Sequence, residues 1–279
     1  MKSNVIIQGD IGTGKTRSLI TLLPTYIDER GKEHEGVGLE RVGVISMEPG
    51  GEATLGRNLC GAPNAHSHVI HQKFIPAVDV PWETLAQYVE LANRLPLKTL
   101  LETTDPQKNR YRQFVELYST CADYVCDHCG ESFGHIDGWT DKMAIGIDAL
   151  TGLTRAAIQN LVGGKPIRSL PEIGTIMEFI ESFLDKFWSS TKCSAILLAH
   201  IDREQSPLTG MSTLTIHTIG QKLAPKIVKK PDEVITSYVA DGTYLWSTEP
   251  TGTEVQKRRR LPLSSRIPAD FREVFNERA

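Results

Sequence analysis

The 279-residue chain is 40% hydrophobic and 23% charged with a formal net charge of −3, so it can bury a full-sized core and carries no bulk positive charge that would draw its whole surface onto nucleic acid. No stretch approaches the roughly 20 apolar residues that span a bilayer, and Met1-Lys2-Ser3-Asn4 leads straight into a short apolar run without the h-region of a signal peptide. Five cysteines, an odd number, with no export signal are expected to be reduced thiols or metal ligands, in a cytoplasmic protein with no membrane partner.

Residues 4–8 read as a short buried strand, followed by the glycine-rich turn Gly9-Asp10-Ile11-Gly12-Thr13-Gly14-Lys15-Thr16 and a helix over 16–23 that Pro24 stops. The polar run 28–40 reads as a surface loop. Residues 41–47 form a second buried strand ending at Glu48-Pro49-Gly50-Gly51, with a helix at 53–59 and a third strand around 68–75. From 81 to 122 the spacing of Trp82, Leu85, Val89, Leu91, Phe114, Leu117 and Tyr118 is mostly helical, until the cysteine-rich segment 121–135 interrupts it. A central strand at 143–150, helices at 151–161 and 171–188, and a buried strand at 194–200 come next. Residues 202–218 read as a mobile loop and 219–228 as a short helix. Residues 233–240 and 243–247 read as a hairpin turning at Asp241-Gly242. Length and element order predict a single α/β domain over 1–279, a mostly parallel sheet wrapped by helices with a C-terminal β-hairpin, interrupted by a helical and cysteine-rich insertion at 81–140.

The Gly-x4-Gly-Lys-Thr pattern between a strand and a helix is the sharpest chemical signal. Backbone N–H groups at Gly12, Thr13 and Gly14 are placed to cradle phosphate oxygens at a helix N-terminus, where the dipole also favours anions. Lys15 is placed to neutralise β and γ phosphates and Thr16 to ligate Mg²⁺, so ATP and Mg²⁺ are the expected cofactors. The cation needs a second carboxylate at the end of an apolar strand, and Asp148, closing Ala144-Ile145-Gly146-Ile147, fits; its alternative is a helix cap. Glu48 ends the strand over 42–47, where Pro49-Gly50-Gly51 frees the backbone to turn away, and is the candidate for activating water; a solvated loop glutamate is its alternative. His200 ends the strand after that of Asp148, where a γ-phosphate-sensing side chain belongs; a hydrogen-bonded structural histidine is the bland alternative.

Cys126-x2-Cys129 lets two thiolates face one tetrahedral ion, and Cys121 and His135 lie close enough in sequence to complete a Cys3His zinc site, with His128 an alternative to His135. Cys193 reads as core. The cluster Lys257-Arg258-Arg259-Arg260 reads either as a solvated tail or as a source of cations for a neighbouring subunit's γ-phosphate or for a nucleic-acid backbone.

The order of these motifs resembles the RecA-like P-loop ATPases, and more closely the compact phage-encoded proteins that consist of little beyond a RecA core. The resemblance rests on Ile6-Ile7-Gln8-Gly9 through Thr16, on Ser46-Met47-Glu48-Pro49-Gly50, on Ile145 through Thr151, on Leu197-Leu198-Ala199-His200 and on the late Lys/Arg cluster. It implies a RecA-like P-loop NTPase fold with Glu48 as catalytic glutamate, Asp148 as Walker B aspartate and His200 as the residue coupling γ-phosphate to DNA-binding loops. Lys257 and Arg259 match the Lys-x-Arg pair that reaches a neighbour's ATP; Arg258 with Arg260 fits the same spacing. Some such phage proteins bind single-stranded DNA and promote annealing. The insertion and the cysteine knuckle depart from that core, and the loop 204–218, with Glu204, Pro207 and Met211, carries no Lys or Arg, which shifts the expected basic contacts to Lys222, Lys226, Lys229, Lys230 or the tail.

The leading expectation is an oligomeric ATPase acting on single-stranded DNA in recombination, repair or replication. A small-molecule or nucleotide kinase, with Arg110 and Arg112 in a lid, is one competitor, and a nucleotide-dependent assembly or packaging adaptor is the other. No Asn-Lys-x-Asp guanine-reading motif is present.

Overall fold

In the computed structural model, residues 2–78, 81–102, 104–105, 108–165, 167–205, 212–220, 222–249 and 256–275 are described, with backbone alone at 203–205 and 212–213. Val5, Ile6 and Ile7 of strand β1 (Asn4–Gly9) have no solvent exposure, the signature of a strand covered on both faces. The chain continues through helix α1 (Lys15–Ser18), a 3₁₀ turn at Leu19–Leu22, and a small hairpin of β2 (Thr25–Ile27) and β3 (Glu33–Glu35). That hairpin lies in the polar run expected to be loop: Glu33 and Glu35 alternate outward around His34, whose ring stacks on Tyr26, so pairing with β2 rather than a buried face holds it.

Strand β4 (Arg41–Ser46) leads to helix α2 (Gly51–Leu55), a 3₁₀ turn at Gly56–Asn58 and strand β5 (Ile70–Phe74). The expected helical stretch divides into α3 (Trp82–Arg94), α4 (Leu97–Glu102) and α5 (Gln113–Ala122), with the first break at Leu95-Pro96, where proline excludes helical geometry from the residue before it. Strand β6 (Met143–Asp148) feeds α6 (Leu150–Val162). Helix α7 (Leu170–Ser190) opens on a capping box, Ser169 Oγ accepting from the Glu172 N–H while Glu172 accepts from the Ser169 N–H.

Strand β7 (Ser194–Gln205) runs well past His200 and pairs antiparallel with β8 (Ser212–Ile216). Within the segment expected as a mobile loop, residues 202–205 and 212–216 are therefore paired strand, their backbone groups satisfied strand to strand; residues 206–211, Pro207 and Met211 among them, lie outside the described residues. The helix expected over 219–228 shortens to α8 (Ala224–Ile227), which starts around Pro225 after Gly220 takes a φ of +69°. Strands β9 (Glu233–Ala240) and β10 (Thr243–Ser247) form the expected hairpin, with Asp241 and Gly242 both at positive φ. Strand β11 (Ile267–Pro268) and helix α9 (Arg272–Phe275) complete the described elements.

The main sheet has the order β11-β10-β9-β1-β7-β6-β4-β5, with β8 attached to β7. From β9 to β5 every neighbouring pair is parallel, so the fold is α/β with a mostly parallel sheet flanked by helices. One face buries Ile6, Ile145, Ile147 and Leu197 under Leu153, Phe183, Leu184 and Phe187 of α6 and α7. The other buries Val5, Ile7, Val44 and Ile196 under Leu19, Leu22, Trp246 and Phe271. Among the described residues no helix is long and apolar enough to cross a membrane.

Candidate functional site

In open α/β sheets the crevice beyond the carboxyl ends of the strands is where loops leave room for a ligand. Here β1, β4, β6 and β7 deliver Gly9, Glu48, Asp148 and His200 to that end; Gly9 is level with His200 and Ser46 with Asp148. A cleft of about 490 Å³ is lined by residues 11–17 together with Glu29, residues 48–51, Asp148, His200 and Tyr244.

The glycine turn follows from steric demand. A Cβ on Gly9 would lie 2.4 Å from the Ser237 carbonyl oxygen and 2.8 Å from Thr13 Oγ1. Gly14 has a φ of +85°, and a Cβ there would lie 2.5 Å from Tyr244 Cδ1, so both backbone conformation and packing require glycine. Ser237 Oγ donates to the Thr13 carbonyl at 2.7 Å, pinning the turn to β9. Tyr244 in turn carries the Arg17 guanidinium, 5.1 Å from its ring centroid.

The side chains converge. Lys15 Nζ donates to the Gly9 carbonyl at 2.9 Å and the Asp10 carbonyl at 2.7 Å and lies 3.5 Å from His200 Nδ1. Thr16 Oγ1 donates to Asp148 Oδ2 at 2.8 Å. His200 Nε2 is 3.3 Å from Glu48 Oε2, so the imidazole bridges Lys15 and Glu48 through its two ring nitrogens. Asp148 reaches Thr16 although β7 separates its strand from β1.

The charges are tuned by this crowding. Burial lowers the Lys15 pKa, opposed by the carboxylates of Asp148, Asp10 and Glu48. Burial raises that of Asp148 above the usual carboxylate range against the Thr16 hydrogen bond. The His200 hydrogen bond, acting against burial, holds Glu48 below its ordinary value.

Other expected participants lie elsewhere. Lys257 Nζ donates to the carbonyls of Lys229 and Pro231, and Arg259 pairs with Asp232 at 2.8 Å. Both stand at the amino end of β9, the end of the sheet opposite the cleft, so neither completes this chain's own site. Lys226 and Lys230 pair with Glu181 and Asp185 on α7. Arg110 and Arg112 do not line the cleft.

The cysteine knuckle has a different set of neighbours from those its sequence suggested. One ligand atom each from Cys60, His71, Cys126 and Cys129 lies within 4.8 Å of all the others, an arrangement that could hold a metal ion such as zinc. Cys121 and His135 are corrected out of that set: with Phe183, Lys186 and Phe187 they line a separate pocket at the end of α5, and His135 Nδ1 instead accepts from the Asp137 N–H. The reason is that Cys121 lies on α5, whose apolar face packs inward, whereas the knuckle turns back onto β5. His128 is also outside the set; it packs on Gly61 and reaches Gln72. Cys193 is buried in the core, as expected. Burial and the neighbouring Cys126 push the Cys60 thiol up to about 12, whereas at Cys126 burial is outweighed by hydrogen bonds from His71 and from the Cys129, His128 and Gln72 backbone, which bring it down to about 6.

No protein-family model matches the chain, and no curated protein sequence matches it at a significant level.

Proposed function

We propose that the protein is a Mg²⁺-dependent ATPase of the RecA-like type that acts on single-stranded DNA. The observation that supports this best is the convergence of Lys15, Thr16, Asp148, Glu48 and His200 on one cleft at the carboxyl end of the sheet, with Thr16 bonded to Asp148 and His200 to Glu48. On this reading Lys15 leaves the Gly9 and Asp10 carbonyls to meet the β and γ phosphates, and the turn's N–H groups hold the phosphate oxygens. The Thr16 hydroxyl and the Asp148 carboxylate would hold a Mg²⁺, which would supply neutralisation of phosphate charge. Glu48, kept ionised by His200, orients and deprotonates the attacking water. The same His200 stands where β7 begins to pair with β8, its carbonyl accepting from the His217 N–H at 2.7 Å, which would give a change at the γ-phosphate a route into that strand pair. Support for action on DNA comes from the resemblance to compact phage RecA-core proteins. Assembly into a homo-oligomer would let Lys257 and Arg259 serve another copy's nucleotide.

The test is Mg²⁺-dependent ATP hydrolysis with and without single-stranded DNA across a salt series, with Lys15→Ala and Glu48→Gln in parallel. Strand-stimulated turnover abolished by both substitutions, with ATP binding retained in Glu48→Gln, is the expected result. ATP binding with no response to DNA at any salt overturns the DNA assignment.

A further inference from the structure

Four ligand atoms of the right chemistry do not meet at random from three separate stretches of chain. Cys60 follows the 3₁₀ turn after α2, His71 lies on β5, and Cys126 and Cys129 belong to a tight reverse turn inside the insertion. That turn is closed by the Gly130 N–H donating to the Cys126 carbonyl at 2.9 Å and the Cys126 N–H to Glu131 at 3.1 Å, with Val125 bridged to Ser132. Gly130 takes a φ of +71° just after Cys129, the left-handed step that lets a two-residue spacer point both sulfurs the same way.

The turn is docked against β5, which ends the sheet on this side. The Asp127 N–H donates to the Gln72 carbonyl at 2.9 Å, and the Asp127 carboxylate accepts from the Phe74 N–H at 2.7 Å and from Lys73 at 2.8 Å. On the Cys60 side, Gly61 has a φ of +77° and a Cβ there would lie 2.8 Å from His128 Cβ, so the two cysteine-bearing segments are in van der Waals contact. Tyr124 adds a hydroxyl 2.7 Å from the carbonyl oxygen of His71.

The distances suit one ion. A tetrahedral centre with Zn–S near 2.3 Å and Zn–N near 2.0 Å implies ligand-to-ligand edges of roughly 3.5–3.8 Å. His71 Nδ1 and Cys129 Sγ are 3.8 Å apart, and all four ligand atoms lie within 4.8 Å of one another. Three thiols and an imidazole select a borderline-soft ion, and four protein ligands leave no open position for water or substrate. We propose that Cys60, His71, Cys126 and Cys129 bind one structural zinc ion that clasps the insertion onto the edge strand β5. The clasp covers an edge whose unpaired backbone groups would otherwise invite pairing with another chain. Through Gln72, whose side chain lies 3.4 Å from His128 and donates to Ser46 Oγ at 2.8 Å, it also borders the strand end that is level with Asp148.

The experiment is elemental analysis of the full chain purified without added metal or chelator, followed by cobalt(II) exchange read by absorption. Expected are about one zinc per chain and a cobalt spectrum with the intense d–d bands of a tetrahedral site and thiolate-to-metal charge transfer. Cys60→Ser and His71→Ala each lose the zinc, Cys121→Ser and His135→Ala keep it, and His71→Cys, which offers a fourth thiolate, retains zinc while shifting the cobalt bands. The proposal is overturned by a chain that carries no zinc, by another metal in stoichiometric amount, or by zinc that survives Cys60→Ser and departs with Cys121→Ser. Far-UV circular dichroism of each variant separates loss of a ligand from loss of the fold; should Cys60→Ser or His71→Ala unfold, retention in His71→Cys with an altered cobalt spectrum decides the assignment.

Discussion

Gly14→Ala tests the contact that shapes the phosphate turn. At a φ of +85° a residue with a Cβ costs about 1–2 kcal/mol in backbone strain. The new methyl group would stand 2.5 Å from Tyr244 Cδ1 and 2.8 Å from Cγ, atoms near the root of that side chain that cannot swing aside, and overpacking of this kind costs about 1–3 kcal/mol. The single variant should therefore lose about 2–5 kcal/mol of folding stability. Tyr244→Ala removes the clash and leaves the backbone strain, so in the double variant the Gly14→Ala cost falls to the strain alone and the coupling between the two sites is about 1–3 kcal/mol, opposite in sign to the losses. Urea unfolding of the four proteins without nucleotide, followed by far-UV circular dichroism, measures the cycle. Additivity within about 0.5 kcal/mol would refute the packing of Tyr244 over the turn.

Two further outcomes follow from the same geometry. The Asp148 carboxyl is held above the usual range by burial, so it binds its proton more tightly folded than unfolded, and stability falls as pH rises from the unfolded value near 3.9 through the folded one. Asp148→Asn removes that loss: its melting temperature should exceed that of the parent at neutral pH without nucleotide and converge with it below about pH 4, whereas a deficit at every pH would contradict the burial argument. Tyr124→Phe strips a buried hydroxyl that accepts from the Val44 N–H at 3.0 Å and lies 2.7 Å from the His71 carbonyl oxygen; it should cost about 1–3 kcal/mol in urea unfolding, and a neutral result would mean that the β4–β5 seam satisfies those groups without it.

How far the sequence could be read depended on whether the relevant residues were neighbours in the chain. The glycine turn, Glu48, Asp148 and His200 were legible because each closes an apolar strand, and parallel strands in one sheet bring their carboxyl ends to one crevice whatever their order. Strand order itself was not legible: nothing in Ile145 or Leu197 says that β7 intervenes between β1 and β6. The β9–β10 hairpin announced itself through Asp241-Gly242, while β3 did not, because Glu33, His34 and Glu35 bury too little to show a period. The metal cluster was half legible. Cys126 and Cys129 carried the two-residue spacing, but Cys60 and His71 come from the other side of a long insertion, and sequence proximity favoured Cys121 and His135, which the apolar face of α5 carries away. Gly61 gave no hint of the cluster, because its positive φ serves the local turn in which the Ala62 N–H donates to the Leu59 carbonyl at 3.2 Å. Tyr244 and Gln72 left no signal, since their roles arise only from packing across the fold.

His200 is where the candidate chemistry and the fold meet, and it yields the sharpest functional outcome. Its hydrogen bond is the largest influence holding the Glu48 carboxyl below its ordinary value, against a burial that pushes the other way. If Glu48 is the base for hydrolysis, turnover falls at low pH as Glu48 takes up a proton, and the acid limb of the profile reports its pKa. His200→Ala leaves Thr16, Asp148 and the glycine turn in place, so nucleotide binding should survive. With the largest of the lowering influences gone, and only Arg155 and the Gly152 backbone left to oppose burial, the acid limb should move to higher pH. The β7–β8 hairpin keeps its backbone bond from the His217 N–H to the residue 200 carbonyl, so loss of DNA stimulation in this variant would trace to the imidazole rather than to a collapsed hairpin. An acid limb that stays where it was would separate Glu48 from the titration and place the base elsewhere in the cleft.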